Sequence, residues 1–330
     1  MKAAIPIDVA PYANVPEFIY GITREIWEDR GVQNKLNRYY APGIALRAAT
    51  GFTNTNVGVA AQTLQTLHQF PDRQLIGEDV IWRDCGDGSF LSSHRLMSCM
   101  THTGDGCYGS ANGANVRSRI IAECWVKNQV VVEEWLVRDQ AAFANCLGKT
   151  AKQLAREMAN ADLAQGLPIG FFTPAHDISS HYPASLADDS AAQAYCSGMQ
   201  NIWQDKQTAA IRDLYFHGAN LHAPGGQTRY GHRDIDRFFV GYLASFPDAV
   251  LKIHSSIVNR DAEQPVRVAV RWSLDGTHNG YGHFGEPTGA PIHVMGLSHA
   301  RITSGRVMNE WLLTDEVAIW KQIFAHQASR

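Results

Sequence analysis

The strongest constraint on this chain is that it contains nearly the same stretch twice. Residues 266–315 read VRVAVRWSLDGTHNGYGHFGEPTGAPIHVMGLSHARITSGRVMNEWLLTD, and their landmarks recur at a single offset of 176 positions. Thr277-His278 lies over Thr101-His102, Glu310-Trp311 over Glu134-Trp135, Asp315 over Asp139 and Arg271 over Arg95. Gly280, Gly282, Gly285 and Gly289 lie over Gly104, Gly106, Gly109 and Gly113. Upstream, Phe246-Pro247-Asp248 repeats Phe70-Pro71-Asp72 and Ile202-Trp203 repeats Ile26-Trp27, with a compensated length change between them. So long a period excludes a solenoid. Two copies of one domain are present, and 330 residues suit two domains of about 150 each.

Val266, Val268, Val270, Trp272 and Leu274 alternate with the period of a half-buried antiparallel strand. The duplicated stretch therefore reads as strand, glycine-rich loop, strand, tight turn at Ser304-Gly305, strand. Strands are predicted near 75–83, 90–101, 116–126 and 129–137. Helices are predicted over 16–40, 57–70, 141–163, 190–216, 234–246 and 316–324. The segment 168–183, with Gly170, Pro174, His176, Ser179, Ser180 and His181, lacks periodicity and reads as a linker. These elements give an α+β chain divided at 1–145 for the first domain, 146–190 for a helical segment and linker, and 191–330 for the second domain.

With 45% hydrophobic and 18% charged residues, each half can build an ordinary core, and a net charge of -3 offers no basic footprint for nucleic acid. No apolar run reaches about 18 residues, and the first 18 residues are broken by Pro6, Pro11 and Pro16, so neither a membrane span nor a leader is expected and the chain is placed in the cytoplasm. Cys85, Cys99, Cys107, Cys124, Cys146 and Cys196 form no C-x-x-C pair and have no counterparts across the repeat; reduced, mostly buried thiols are expected.

Gly280–Gly285 and Gly104–Gly109 both spell G-x-G-x-x-G, but a dinucleotide fingerprint must leave a strand and open a helix. Here Pro287-Thr288-Gly289 and a strand follow, so a hairpin loop binding no nucleotide is expected. His217, His222, His278, His283, His293 and His299 crowd the second half without a helical H-x-x-x-H carrying a glutamate, so no metal and no cofactor is assigned.

The motifs R-W-x-x-x-G-T-H-x-G at Arg271–Gly280, P-T-G at Pro287–Gly289 and G-R-V-x-x-E-W-x-x-x-D at Gly305–Asp315 resemble the SnoaL-like polyketide cyclase and ester cyclase family. The second repeat matches almost throughout; the first has Ser-Ala-Asn-Gly in place of the Pro-Thr-Gly segment. The resemblance implies the NTF2-like fold, a cone of curved antiparallel sheet closed by helices around an apolar pocket for a small molecule. It also implies a catalytic aspartate where this chain has Leu312, and Leu136 in the first copy, so both copies depart from the family's pattern for intramolecular aldol cyclisation.

If the Ser304-Gly305 hairpin is regular, Glu310 sits opposite His299, and if the glycine-rich loop places His278 near Ala290, Arg271 falls beside Leu297. Arg271, Met295, Leu297, His299, Glu310 and Leu312 would then share the pocket face, and Val270, Trp272, Val294, Ser298, Trp311 and Leu313 the other. On that register His299, Glu310 and Arg271 form a base, an orienting carboxylate and an anion-binding cation, with His278 at the rim; a buried ion pair supporting the sheet accounts for Arg271 and Glu310 equally well. His278, with its counterpart His102, either bonds the loop or faces the pocket mouth. In the first repeat Glu123 and Glu134 would lie near Arg95, either as a chemically active carboxylate pair or as a salt-bridge cluster. The expected partners are a small-molecule ligand, no nucleic acid and no membrane, with the two copies packed as an intrachain pseudo-dimer through Trp272, Val270, Val294, Trp311 and Leu313 against Trp135, Leu96 and Val116; further oligomerisation is left open. Cofactor-independent isomerase, dehydratase or cyclase chemistry, led by the second repeat, stands against a non-catalytic binding or assembly role.

Overall fold

The computed structural model describes residues 5–180 and 184–330. His181 and Pro183 of the predicted linker, and the first four residues of the proline-broken N-terminus, lie outside the described residues.

The first repeat runs α1 (Val15–Thr23), α2 (Asn34–Tyr39), β1 (Tyr40–Ala48), β2 (Gly51–Thr53), α3 (Asn56–Gln69), β3 (Gln74–Asp84), β4 (Ser89–Thr101), β5 (Asn115–Lys127) and β6 (Val130–Arg138). The helices α4 (Gln140–Cys146) and α5 (Ala151–Ala164) follow. The second repeat runs α6 (Ser190–Met199), α7 (Ile211–Leu214), β7 (Tyr215–Ala223), β8 (Gln227–Tyr230), α8 (Gly231–Ser245), β9 (Val250–Asn259), β10 (Val266–Thr277), β11 (Pro291–Thr303), β12 (Arg306–Thr314) and α9 (Glu316–Ala328). Each repeat forms one six-stranded sheet, in the orders β2-β1-β6-β5-β4-β3 and β8-β7-β12-β11-β10-β9. Among these strands β1 with β6, and β7 with β12, pair in parallel, and Ile5 forms one parallel bridge to Asp87. This is the α+β, NTF2-like architecture twice over.

Two of the long predicted helices are cut short. The helix predicted over 16–40 widens into a π turn at Arg24–Glu28, and that over 190–216 does so at Gln200–Gln204; strands β1 and β7 then begin at Tyr40 and Tyr215. In β1 the run Ile44-Ala-Leu-Arg-Ala-Ala is wholly buried, and such a run reads the same in a buried helix and a buried parallel strand; in β7 burial alternates only at its end, through Ala219, Leu221 and Ala223. Helix α1 itself starts where sequence chemistry sets it, with Asn14 accepting from the Glu17 amide at 2.9 Å. The glycine-rich loops lie between antiparallel strands, and each is pinched by one bridge, Gly106 to Gly109 and Gly282 to Gly285, with no helix following directly.

In each copy, the tight turn after the penultimate strand carries two left-handed residues, Asn128-Gln129 and Ser304-Gly305, as a type I′ hairpin requires. Pairing then slips by one residue, between Arg301 and Ile302 in the second copy and between Trp125 and Val126 in the first. One extra residue on β12 thus places Trp311, not Glu310, opposite His299, while Arg271 does face Leu297. Every side chain beyond the bulge changes face relative to the regular hairpin.

One face of each sheet closes over its own helices. In the first repeat Phe18, Ile19, Ile22, Val59 and Leu67 pack on Leu46, Leu96, Ile120 and Leu136; in the second, Tyr195, Trp203, Phe239 and Tyr242 pack on Val270, Trp272 and Leu312. The opposite faces of the two sheets meet each other around Leu91, Ile121, Trp125, Trp135, Ile257, Met295, Leu297, Trp311 and Leu313. This contact is isologous. The Arg95 guanidinium lies 3.7 Å over the Trp311 ring, and its repeat mate Arg271 lies 3.9 Å over Trp135. Trp311, Leu313 and Trp135 therefore do line the sheet-to-sheet contact, whereas Trp272, Val270, Val294 and Leu96 point into the cones and Val116 packs with Phe70 and Phe143.

The predicted linker is a strap across this contact. Phe172 is buried among the interface residues, and Arg47 donates to the Ile178 carbonyl and, at 2.8 Å, to that of His176. Asp177 accepts from Trp135 Nε1 at 2.9 Å and lies 3.3 Å from His293 Nε2. All six thiols are free, but only Cys124 and Cys196 are buried and Cys107 is exposed, so the expectation of mostly buried cysteines holds for two of them.

Candidate functional site in the first-repeat cone

The register decides what each predicted site residue can do. His299 and Arg271 lie between the two sheets, and Glu310 lies inside the second cone, so the expected His299–Glu310–Arg271 grouping does not form. His299 Nδ1 is 3.1 Å from Arg95 Nη1, and its Nε2 is 2.8 Å from Ser93 Oγ. Arginine can only donate, so Nδ1 is the bare acceptor and Nε2 carries the proton toward Ser93. Burial and the Arg95 charge hold this imidazole well below its ordinary value, which makes it a neutral interface group. Arg271 donates from Nε to Glu123 Oε1 at 2.7 Å, and Ser255 completes Glu123 at 2.6 Å. Arg95 pairs with Glu78 at 2.7 Å. The Glu123–Glu134 carboxylate pair also fails to form, because Glu134 pairs in register with Cys124, the residue after Glu123, and points to the opposite face.

His278 and His102 are loop fasteners. His278 is fully buried, its amide bonds the Ala290 carbonyl at 2.9 Å as expected, and its Nδ1 sits 3.1 Å from Thr288 Oγ1. His102 repeats this with Asn112 Oδ1 at 3.2 Å and stacks on Phe70. Neither lines the cavity described next.

That cavity, of about 110 Å³, lies inside the first-repeat cone. Its walls are Ile19, Ile22, Leu46, Val59, Leu96, Ile120 and Leu136, with Trp27 on one side. Its polar groups include Tyr40, His94, Glu134, Thr63, Arg73 and Arg138. Tyr40 donates to Glu134 Oε2 at 2.9 Å. Burial pushes the Glu134 carboxyl up, against the smaller opposing pulls of Tyr40 and Arg138. Burial pushes His94 down to about 4, so the ring is neutral at physiological pH, and its Nδ1 has no hydrogen-bond partner. A carboxyl moved toward neutrality and a neutral imidazole lining one apolar cavity are groups suited to proton transfer without a metal or cofactor. Among the described residues no three His, Cys, Asp or Glu side chains converge as metal ligands. The sequence signals that could have found this site are Glu134 itself and the small or polar residues Thr63 and Leu96 where the second repeat carries Phe239 and Trp272.

The second cone is built on the same plan and filled. Ile19, Gln62, Thr63, Thr66 and Leu96 become Tyr195, Phe238, Phe239, Tyr242 and Trp272 at matching positions. Trp203 packs on Phe239 at 5.0 Å, Trp272 at 5.5 Å and Tyr242 at 5.9 Å. The Trp272 ring lies flat on Gly296, where any Cβ would stand 2.2 Å from the indole. Glu310 takes hydrogen bonds from Tyr195 at 2.5 Å and from Tyr215, so both of its oxygens are used.

Parts of the chain are similar to known proteins. Residues 194–323 match the model of the SnoaL-like polyketide cyclase family. IdmH of Streptomyces antibioticus, named as a candidate polyketide cyclase, is 21% identical over 41% of this chain and 99% of its own, with a TM-score of 0.35. TsrD of Streptomyces laurentii is 14% identical over 42% and 98%, with a TM-score of 0.36. An NTF2-like protein of unknown function from Mesorhizobium loti is 17% identical over 39% and 98%, with a TM-score of 0.28. No curated protein matches the chain.

Proposed function

We propose that this tandem protein, whose second repeat is a SnoaL-like polyketide cyclase domain, binds a small and largely apolar metabolite in the cone of its first repeat and acts on it by cofactor-independent acid–base chemistry. The observation that carries the reading is the Tyr40–Glu134 pair on the wall of an apolar cavity that also holds the unpartnered Nδ1 of His94. Glu134, raised by burial, exchanges a proton with the ligand; Tyr40 orients the carboxyl; His94, neutral, holds a ligand oxygen or hydroxyl. Isomerisation, dehydration and cyclisation all need such a set.

A second reading is non-catalytic binding. It is favoured by Glu310, which sits at the position matching Glu134 and is wholly spent on Tyr195 and Tyr215, so this glutamate can serve a cone purely as a polar tie. The two readings separate in deuterated water with a ligand recovered from the purified protein by native mass spectrometry. Catalysis predicts deuterium entering the ligand and a loss of about 10²–10⁴ in that rate on Glu134→Gln, with binding retained. Ligand retention with no exchange selects the binding role, and failure of both wild-type binding and exchange removes the proposal.

A further inference from the structure

The cavity mouth differs from its walls. Arg73 and Arg138 both line it, and among the described residues neither forms an ion pair. The Arg73 guanidinium makes one long contact, Nε to Ser98 Oγ at 3.4 Å, and Arg138 makes no side-chain hydrogen bond among the described residues. By contrast Arg95, Arg119, Arg267 and Arg271 hold carboxylates, whereas the half-buried Arg83 and Arg229 form no ion pair among the described residues. Two unpaired guanidiniums side by side repel each other, and burial adds to the cost. The carboxyls within electrostatic reach of Arg138, Glu134 and Asp315, are both pushed up by burial, Asp315 to about 7, which weakens them as counter-charges. Arg73, though lowered to about 10 by burial and by Arg138, still carries its charge at physiological pH. The second repeat removes both: Ala249 matches Arg73 and Thr314 matches Arg138, in the cone that has no room for a ligand. Cationic residues thus accompany the open cone and vanish from the filled one.

We infer that the ligand of the first-repeat cone is an amphipathic carboxylate, its apolar body between Leu96, Ile120 and Val59 and its carboxylate received at the mouth by Arg73 and Arg138. Planar guanidiniums match a carboxylate's two oxygens and form charge-assisted bonds about twice as strong as neutral ones. The inference rests on the proposal that this cone binds a ligand, and it is tested so that the two can fail apart. Short- and medium-chain alkanoates and the alcohols of equal length are titrated by calorimetry into the full-length protein and into the Arg73→Ala/Arg138→Thr double variant, which carries the second repeat's residues. The expected result is an alkanoate preference of about tenfold or more in the wild type, falling as salt rises, and lost in the variant while alcohol affinity is kept. Retained alcohol binding shows that the variant is folded. Equal wild-type affinities for acid and alcohol, or an acid preference that survives the double substitution, overturn the carboxylate inference and leave the binding cone standing. Absence of binding by both series overturns the inference and the cone together.

Discussion

The two cones of this molecule share a fold, a helix–sheet frame and a buried glutamate, and differ in what fills them. In the first repeat Leu96, Thr63 and Ile19 leave space above Glu134; in the second Trp272, Phe239 and Tyr195 occupy it and tie up Glu310. The difference teaches that a pocket in this architecture is a deficit of side-chain volume on a fixed frame, removable by a few substitutions that enlarge inward-facing residues. It also explains how the filled repeat retains the family's motifs: Arg271, His278 and the Gly305–Asp315 segment serve the interface, the loop and the sheet, not a site.

The largest effect is expected where the second cone is emptied. Trp272→Ala should cost about 3–5 kcal/mol, the range for deleting a buried aromatic, because Gly296 and Trp203 would be left facing a void. Chemical denaturation reads this directly. Leu96→Trp, the reverse change, should cost far less and abolish ligand uptake; equal losses of stability from both would mean that the first cone is packed core as well.

The paired glutamates come next. Glu310→Ala should destabilise by about 1–3 kcal/mol by orphaning the Tyr195 and Tyr215 hydroxyls, and leave ligand binding and exchange unchanged. Glu134→Gln should do the opposite, lowering exchange with little change in thermal midpoint. A loss of activity from Glu310→Ala in a folded protein would move the site back to the second repeat.

A smaller effect concerns the strap that joins the copies. His293, between Asp177 and Asp275, is raised to about 9, while burial, which would raise the Asp177 carboxyl, is outweighed by its pairing with His293 and by the Arg271 charge, which hold it well below the usual carboxylate range. A raised histidine lends stability that is complete below its unfolded value near 6.5 and is lost as pH climbs through about 9. The melting temperature should therefore fall between those values, by roughly 2–4 °C for each kcal/mol lost, and His293→Gln should flatten the profile. An unchanged profile in that variant would show that the strap is not held by this pair.

Much of the fold was legible because duplication supplies its own control. Strands β3 to β6, the hairpin nature of the glycine-rich loops and the approach of His278 to Ala290 all follow from local patterns. Strand β1 did not, since a parallel partner far along the chain imposes no alternation on an apolar run, and in β7 the alternation is confined to Ala219, Leu221 and Ala223. The site was misassigned by one residue: the bulge after Ser304-Gly305 leaves no mark in composition, yet it exchanges Glu310 for Trp311 opposite His299 and sends the predicted triad to two different faces. Volume was also hidden. Reading Thr63 against Phe239 as open against filled requires knowing that both point inward, which only the packed helices disclose.

Which cone admits a ligand is reported by the indole protons. Trp27 lines the first cavity, with its Nε1 donating to Thr63 at 3.3 Å, and its repeat mate Trp203 is packed against Trp272 in the second. Titrating the alkanoate or alkanol that binds best into nitrogen-labelled protein, with Trp27→Phe and Trp203→Phe variants to assign the two indole signals, should move the Trp27 resonance in proportion to occupancy and leave Trp203 in place. Movement of Trp203 with Trp27 unperturbed would contradict the account.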